Sequence, residues 1–262
     1  MKVVLFCGGL GLRMQDGKGR IPKPMVKLGQ RPLVWHVMKY YAHYGHTDFI
    51  LCLGYGAESI KDYFLDYNEL LSNDFKLSGS DGQITLMSHD LKSWNITFVH
   101  TGMKSVVGQR LKMVESHIGD DEHFLANYSD GLTNAPLDQM VDAHLANGKI
   151  ASLLCVRPTY SFHTLEVDDA NLVQRVQRAE DGDLWMNGGF FVFRREIFDY
   201  IGPGQDLVNE PFAQLIEKNE LTAWRHDGFY YPVDTLKDRQ ILEDLLEAGN
   251  APWSVWDATQ SA

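Results

Sequence analysis

KVVLFCGGLGLRMQDGKGRIPKPMV, residues 2–26, is the stretch whose reading decides the fold. An apolar run, Val3-Val4-Leu5-Phe6, breaks off in Gly8-Gly9-Leu10-Gly11. Continuous apolar character over so few residues suits a strand buried on both faces. Glycines directly after it let the backbone turn sharply and approach a ligand closely, and N–H groups in such a turn can face an anion. Arg13 follows, and then Lys23 between Pro22 and Pro24. Proline on both sides narrows the directions in which the lysine can be presented. Buried strand, glycine turn, arginine and braced lysine together describe a polyphosphate site, against the plain alternative of a strand with a surface loop.

Two common phosphate loops are excluded by spacing. A P-loop has four residues between its first glycine and Gly-Lys, whereas Gly11 and Gly17-Lys18 enclose five, and Gly19 stands where Ser or Thr is needed. The dinucleotide fingerprint Gly-x-Gly-x-x-Gly fails because Met14 occupies its third glycine position.

The chain has 262 residues, enough for one large α/β domain, and a formal net charge of −11. That charge argues against nucleic acid or an anionic membrane as partner. An acidic protein that binds a triphosphate must gather its cations locally or recruit metal. Cys7, Cys52 and Cys155 lack metal-ligand spacing, and Cys7 and Cys52 sit in apolar runs as buried thiols. The apolar start and the absence of a long apolar run lead to the expectation of a cytoplasmic protein without signal peptide or membrane span.

Beyond the loop, the pattern predicts a helix over 31–40, a strand over 48–55 ending in glycine, a helix over 57–67, and a strand at Trp94–Val99. Residues 68–93 break the rhythm as an insertion with a short hairpin. A helix is expected from Gly108 through His117, strands over His123–Tyr128 and Ile150–Val156, a hairpin around Asp168–Asn171, and a strand from Asn187 to Phe193. Alternating strands and helices give a three-layer, Rossmann-like α/β fold with a mostly parallel mixed sheet. Ligands of such sheets bind at the carboxyl ends of the strands. Asp130 lies at one such end, before Gly131, and suits either a metal ligand or an ordinary Asp-Gly turn. Asp234 precedes a helix and could cap it or hold metal. No repeat or linker divides the chain, so residues 1–262 are expected to form one domain, with 160–190 as a subregion of it.

The motif G-G-x-G-x-R, a spacer and P-K-P-M resembles the opening of the sugar-phosphate nucleotidylyltransferases. The resemblance runs along nearly the whole chain. It is closest to the glucose-1-phosphate cytidylyltransferases, through Trp35-His36, Gly54-Tyr55, Trp94-Asn95-Ile96-Thr97, Thr101-Gly102, Asn187-Gly188-Gly189-Phe190-Phe191 and Ala251-Pro252-Trp253. It implies a nucleotidyltransferase fold and Mg²⁺-dependent transfer of a nucleotidyl group, CMP from CTP above others, to a phosphorylated sugar such as glucose 1-phosphate. Arg13 and Lys23 would then be catalytic. Gly8, Gly9, Leu10, Gly11, Lys23, Arg110 and Ser129 would bind the nucleotide, Arg178, Asn187 and Gly188 the acceptor, and Asp130 and Asp234 the metal. A homo-oligomer is expected, with residues 68–93 at subunit contacts or simply a surface excursion.

The sequence departs from that family in places. Ser129 stands where relatives usually have glycine, and Asn134 where they often have an acid, which leaves Asp130 as the acid of that motif. Gln177-Arg178-Ala179 replaces Glu-Lys-Pro, and Ser161-Phe162-His163 replaces Arg-Phe-Gly. The acceptor half is thus less well kept than the nucleotide half, which leaves open a different phosphorylated acceptor or a nucleotide-binding protein without turnover. A glycosyltransferase would want Asp-x-Asp, which Ser129-Asp130-Gly131-Leu132 does not supply.

Overall fold

The computed structural model describes residues 1–9, 15–16, 19–159, 163–179 and 182–257. Seven strands form the central sheet: β1 (Lys2–Phe6), β2 (Asp48–Leu53), β3 (Asn95–His100), β4 (His123–Asn127), β5 (Ala151–Val156), β6 (Met186–Arg194) and β7 (Leu221–His226). Their order is β7-β5-β6-β4-β1-β2-β3. β1 lies parallel between β4 and β2, β2 is parallel to β3, and β5 to β7; β6 alone runs antiparallel, between β4 and β5. The sheet is therefore mixed and mostly parallel, as expected from the sequence.

Side chains of β1 alternate between two cores. Val3 and Leu5 meet Val34, Val37, Met38 and Tyr41 of α1 (Leu33–His43), with Met140 of the helix Leu137–Asn147 and Leu242 of the helix Leu236–Glu247. Val4 and Phe6 meet Leu111, Ile118, Phe198 and Leu215 on the other face. Val3, Val4 and Leu5 have no exposed surface, so burial on both sides explains why the strand reads as an unbroken apolar run.

Several expected boundaries shift. α1 begins at Leu33 because Arg31–Pro32 pairs as a short strand with Lys27–Leu28; the residue before a proline favours extended backbone. The helix expected over 57–67 ends at Leu65. The helix expected from Gly108 divides at Val114 into Val107–Met113 and Glu115–Ile118. The 68–93 excursion carries the hairpin Phe75–Leu77/Ile84–Leu86. It is fastened to α1 by the buried Asp90, which accepts hydrogen bonds from Lys39 (2.8 Å), Tyr67 (2.8 Å) and Asn73 (2.9 Å) and lies 3.6 Å from the Arg31 guanidinium. Among the described residues no helix is long and apolar enough to cross a membrane.

Candidate active site

The site forms where β1, β2, β3 and β4 end. After β1, Cys7 stays in the ladder through its N–H to Cys52 O (3.0 Å), and its thiol donates to Ser129 Oγ (3.5 Å). Burial pushes that thiol up to about 12, so it is a packing group and not a nucleophile. Gly8 follows in a space with no room for a side chain: a Cβ there would fall 2.0 Å from Arg110 Nη1. Gly9 is exposed and opens onto free space. Leu10, Gly11 and Arg13 lie outside the described residues.

Lys23 is presented as the sequence implies. Pro22 is extended (φ −59°, ψ 137°), and Lys23–Met25 forms one tight turn with Pro24 buried. Pro22 rests against Gly56, whose left-handed backbone leaves that face bare; a Cβ on Gly56 would come within 2.2 Å of Pro22 Cγ. So held, the Lys23 ammonium donates to Asp130 Oδ2 (3.1 Å) and Asp234 Oδ1 (2.5 Å).

The two aspartates are brought together by a small antiparallel ribbon, Gly131–Thr133 with Tyr230–Pro232, extended by Val233 N–H donating to Asp130 O (2.7 Å). Asp234 does not cap the following helix. Thr235 does, in a capping box with Asp238, which leaves the Asp234 carboxylate to the crevice. Desolvation raises the Asp130 pKa above the usual carboxylate value, with Lys23 opposing it and Asp234 adding to it. Desolvation works against the Lys23 ammonium too, but the two carboxylates outweigh it and its pKa rises. Two carboxylate oxygens converge on one cation, and a divalent ion fits the same donor set, since Mg²⁺ is commonly held by one or two carboxylates plus substrate phosphates. Among the described residues no group of three or more His, Cys, Asp or Glu offers a fuller metal cage.

Ser129 is fully buried in the left-handed region (φ 63°), with its N–H donating to Asn127 Oδ1 (2.6 Å). That backbone explains why glycine is usual there: a serine pays a steric penalty. Arg110 lies beneath the turn, 4% exposed. Its Nη2 donates to Gly8 O (3.0 Å) and its Nη1 to Thr101 Oγ1 (2.8 Å).

On the acceptor side, Asn187 Oδ1 accepts from Gly189 N–H (2.8 Å) and its Nδ2 donates to Tyr128 Oη (3.5 Å). Gly189 (φ +73°) lies against the Tyr128 ring, where a Cβ would come within 2.6 Å of Cδ2. Gly188 packs on Leu154. Arg178 stands on the ribbon His163–Val167/Val173–Arg178, directly across from His163, so both side chains leave the same face. The structure thus sets Lys23 between Asp130 and Asp234, and packs Ser129 against Cys7 and Arg110 against Gly8 beneath the turn after β1; Asn187 and Gly189 lie beside Tyr128 and Gly188 on Leu154, while Arg178 stands on the exposed ribbon. Sequence reasoning missed Tyr128 and the contact of Pro22 with Gly56; Gly189 and Gly56, which meet these two side chains, were the available signal.

No family model matches the chain. A glucose-1-phosphate cytidylyltransferase of Salmonella typhi is 39% identical over 259 residues, spanning 98% of this chain and 100% of the relative. A probable glucose-1-phosphate cytidylyltransferase of Bacillus subtilis is 36% identical over 258 residues, with the same coverage of both chains. Among solved structures, HddC from Yersinia pseudotuberculosis complexed with GMP-PN superposes with a TM-score of 0.67 at 18% identity, covering 94% of this chain and 99% of that one. The UTP-bound UGPase from Acinetobacter baumannii gives 0.66 at 18% identity, covering 95% and 93%. These structures share the fold, a Rossmann-like nucleotidyltransferase fold, and the closer sequence relatives carry the assignment further: the chain belongs to the glucose-1-phosphate cytidylyltransferase family, and is a nucleotidylyltransferase.

Proposed function

We propose that this protein transfers CMP from CTP to a phosphorylated sugar, glucose 1-phosphate or a close analogue, in the presence of Mg²⁺, releasing pyrophosphate. The observation that carries this reading is the convergence of Lys23, Asp130 and Asp234 beside a glycine turn at the carboxyl edge of the sheet, in a chain whose relatives bear that activity in their names.

An acceptor phosphate oxygen attacks the α-phosphorus. The bond to the bridging oxygen breaks, and its electron pair leaves with pyrophosphate. Both reactants are polyanions, so charge neutralisation and in-line positioning are the main tasks. Mg²⁺ held by Asp130 and Asp234 would supply part of that neutralisation. Lys23 would turn its ammonium to the phosphates, with Arg13 on the same loop. Gly8, Gly9 and the neighbouring Leu10-Gly11 would present backbone N–H groups to the triphosphate, with Arg110 and Ser129 flooring the seat. Arg178 would grip the acceptor phosphate with a planar fork, and Asn187 and Gly188 would border the sugar. The exposed apolar side chains on both projecting hairpins, among them Leu77, Ile84, Leu165 and Val176, support a homo-oligomer, and three buried free thiols support a reducing, cytoplasmic setting.

A pyrophosphate-release screen of nucleoside triphosphates against sugar phosphates, with and without Mg²⁺, tests the reading. Release with CTP and a sugar 1-phosphate is expected. Release only with another acceptor would move the acceptor assignment, which the His163–Arg178 pair favours as second reading. CTP binding without release under any pairing would make this a nucleotide-binding protein without turnover.

A further inference from the structure

At the carboxyl ends of β5 and β7 a row of side chains lies on one face of the sheet. Cys155 of β5 pairs with Asn187 of β6 on one side and with Arg225 of β7 on the other, and residues directly across a ladder leave the same face. Asn187 reaches Tyr128, which follows the end of β4. Arg157 comes two residues after Cys155, and Trp185 two before Asn187, so both continue that face outward. The row thus runs from the end of β4, where Asp130 follows, to the edge strand β7.

At its outer end two guanidiniums meet one aromatic ring. Arg157 Cζ stands 4.0 Å from the centre of the Trp185 ring, and Arg225 Cζ 5.0 Å. The two arginines differ in their other partners. Arg157 is neutralised: its Nε donates to Asp227 Oδ1 (3.2 Å), its Nη1 donates to Gly182 O (2.8 Å), and Asp183 lies 3.7 Å away. Arg225 is exposed, and among the described residues its side chain makes no ion pair or hydrogen bond. Stacking on the ring holds its planar fork while leaving the N–H donors unspent. A fork fixed beforehand loses less freedom when it grips an anion. There is room beside the stack: Arg157 also borders a cavity of about 560 Å³ shared with Thr164 and Gln177 of the ribbon.

The transferred phosphate is not the anion this fork would meet. β7 is three strands away from β4, about 14 Å at the usual strand spacing, which is further than an arginine side chain reaches. The transferred phosphate must instead approach Asp130 and Asp234. Asn187, which the reading above places beside the sugar, lies between the two.

We propose that Arg225, held on Trp185 beside Arg157, is a specificity-determining residue that binds a second anionic group, a carboxylate or a phosphate, on the acceptor sugar away from the reacting phosphate. The preferred acceptor is then a doubly charged sugar phosphate. This rests on the nucleotidyl-transfer reading above and narrows its acceptor.

The test measures kcat/KM by pyrophosphate release with CTP, Mg²⁺ and three acceptors: glucose 1-phosphate, glucuronic acid 1-phosphate and glucose 1,6-bisphosphate. Wild type is compared with R225M and W185L, and thermal melting checks that each variant is folded. In wild type one of the two doubly charged acceptors should exceed glucose 1-phosphate by about ten- to hundred-fold, the range for a hydrogen bond to a charged group. Which of them gains decides between carboxylate and phosphate. R225M should bring that ratio close to one. W185L, which removes the ring but no charge, should lower the ratio as well, because the fork is no longer held. A wild type that turns over glucose 1-phosphate as well as both others would overturn the proposal. So would a preference that survives in R225M, or a W185L that loses stability and all three activities in step with the ratio unchanged, since that marks the stack as structural. No pyrophosphate from wild type with any of the three would refute the transfer reading itself, and the proposal with it.

Discussion

The Lys23 ammonium stands 2.5 Å from Asp234 Oδ1 while also reaching Asp130 Oδ2 at 3.1 Å. One lysine thus bridges the two carboxylates proposed to hold a divalent ion.

Lys23→Met should lower turnover by about 10²–10³, the usual cost of losing one transition-state contact of this kind, without disturbing the sheet. It should also tighten Mn²⁺ binding to the nucleotide-free protein, because the competing cation has gone. Stopped turnover assays and metal calorimetry check this. Near-normal rate would remove Lys23 from the mechanism, and unchanged metal affinity would show that it does not compete.

Asp234→Asn should weaken the metal dependence of turnover and leave the following helix intact, since Thr235 and Asp238 cap it. Thr235→Ala should do the reverse, costing about 1 kcal/mol of stability with an unchanged metal titration. Urea unfolding and Mg²⁺ titration of both variants decide the case; a helix lost in Asp234→Asn would return that residue to a capping role.

His36 and His144 should make the fold acid-sensitive. Burial lowers each to about 4 from an ordinary 6.5. His36 is satisfied as a neutral ring, 3.2 Å from Leu28 O and accepting from Trp253 Nε1 at 3.4 Å. A depressed histidine favours the fold above its unfolded value, and that stability is lost as pH falls from 6.5 through 4, by at most about 3 kcal/mol per group. The urea midpoint should drop across this window and drop less in His36→Gln. A flat profile would show that neither ring stays neutral in the fold.

Arg178→Ala should raise the acceptor KM, lower kcat, or both, and leave CTP affinity nearly constant. His163 faces it across the ribbon, so His163→Gly should shift preference among acceptors. Equal loss of CTP binding in Arg178→Ala would mean that the residue serves the nucleotide, and the acceptor site would have to be sought elsewhere.

Much was legible in the chain itself. The β1 run and its glycine turn named the buried strand and the edge at which the site forms, because burial on both faces and free backbone turns leave direct marks on residue type. Pro22-Lys23-Pro24 announced a braced lysine for the same reason: proline restricts backbone locally, whatever lies around it. Asp130 and Asp234 could be nominated by their places at element ends, and only the family resemblance joined them, as ligands of one metal. Their meeting depends on the ribbon pairing Gly131 with Pro232, and whether Asp234 caps a helix depended on Thr235 being free to do so. Arg110 reads as one more helix arginine until β1 and β2 are laid side by side and Gly8 and Gly54 close around it. Local constraints on the backbone are written residue by residue; which charges share a crevice, and which are left without a counter-ion, is decided by pairing between strands distant in sequence.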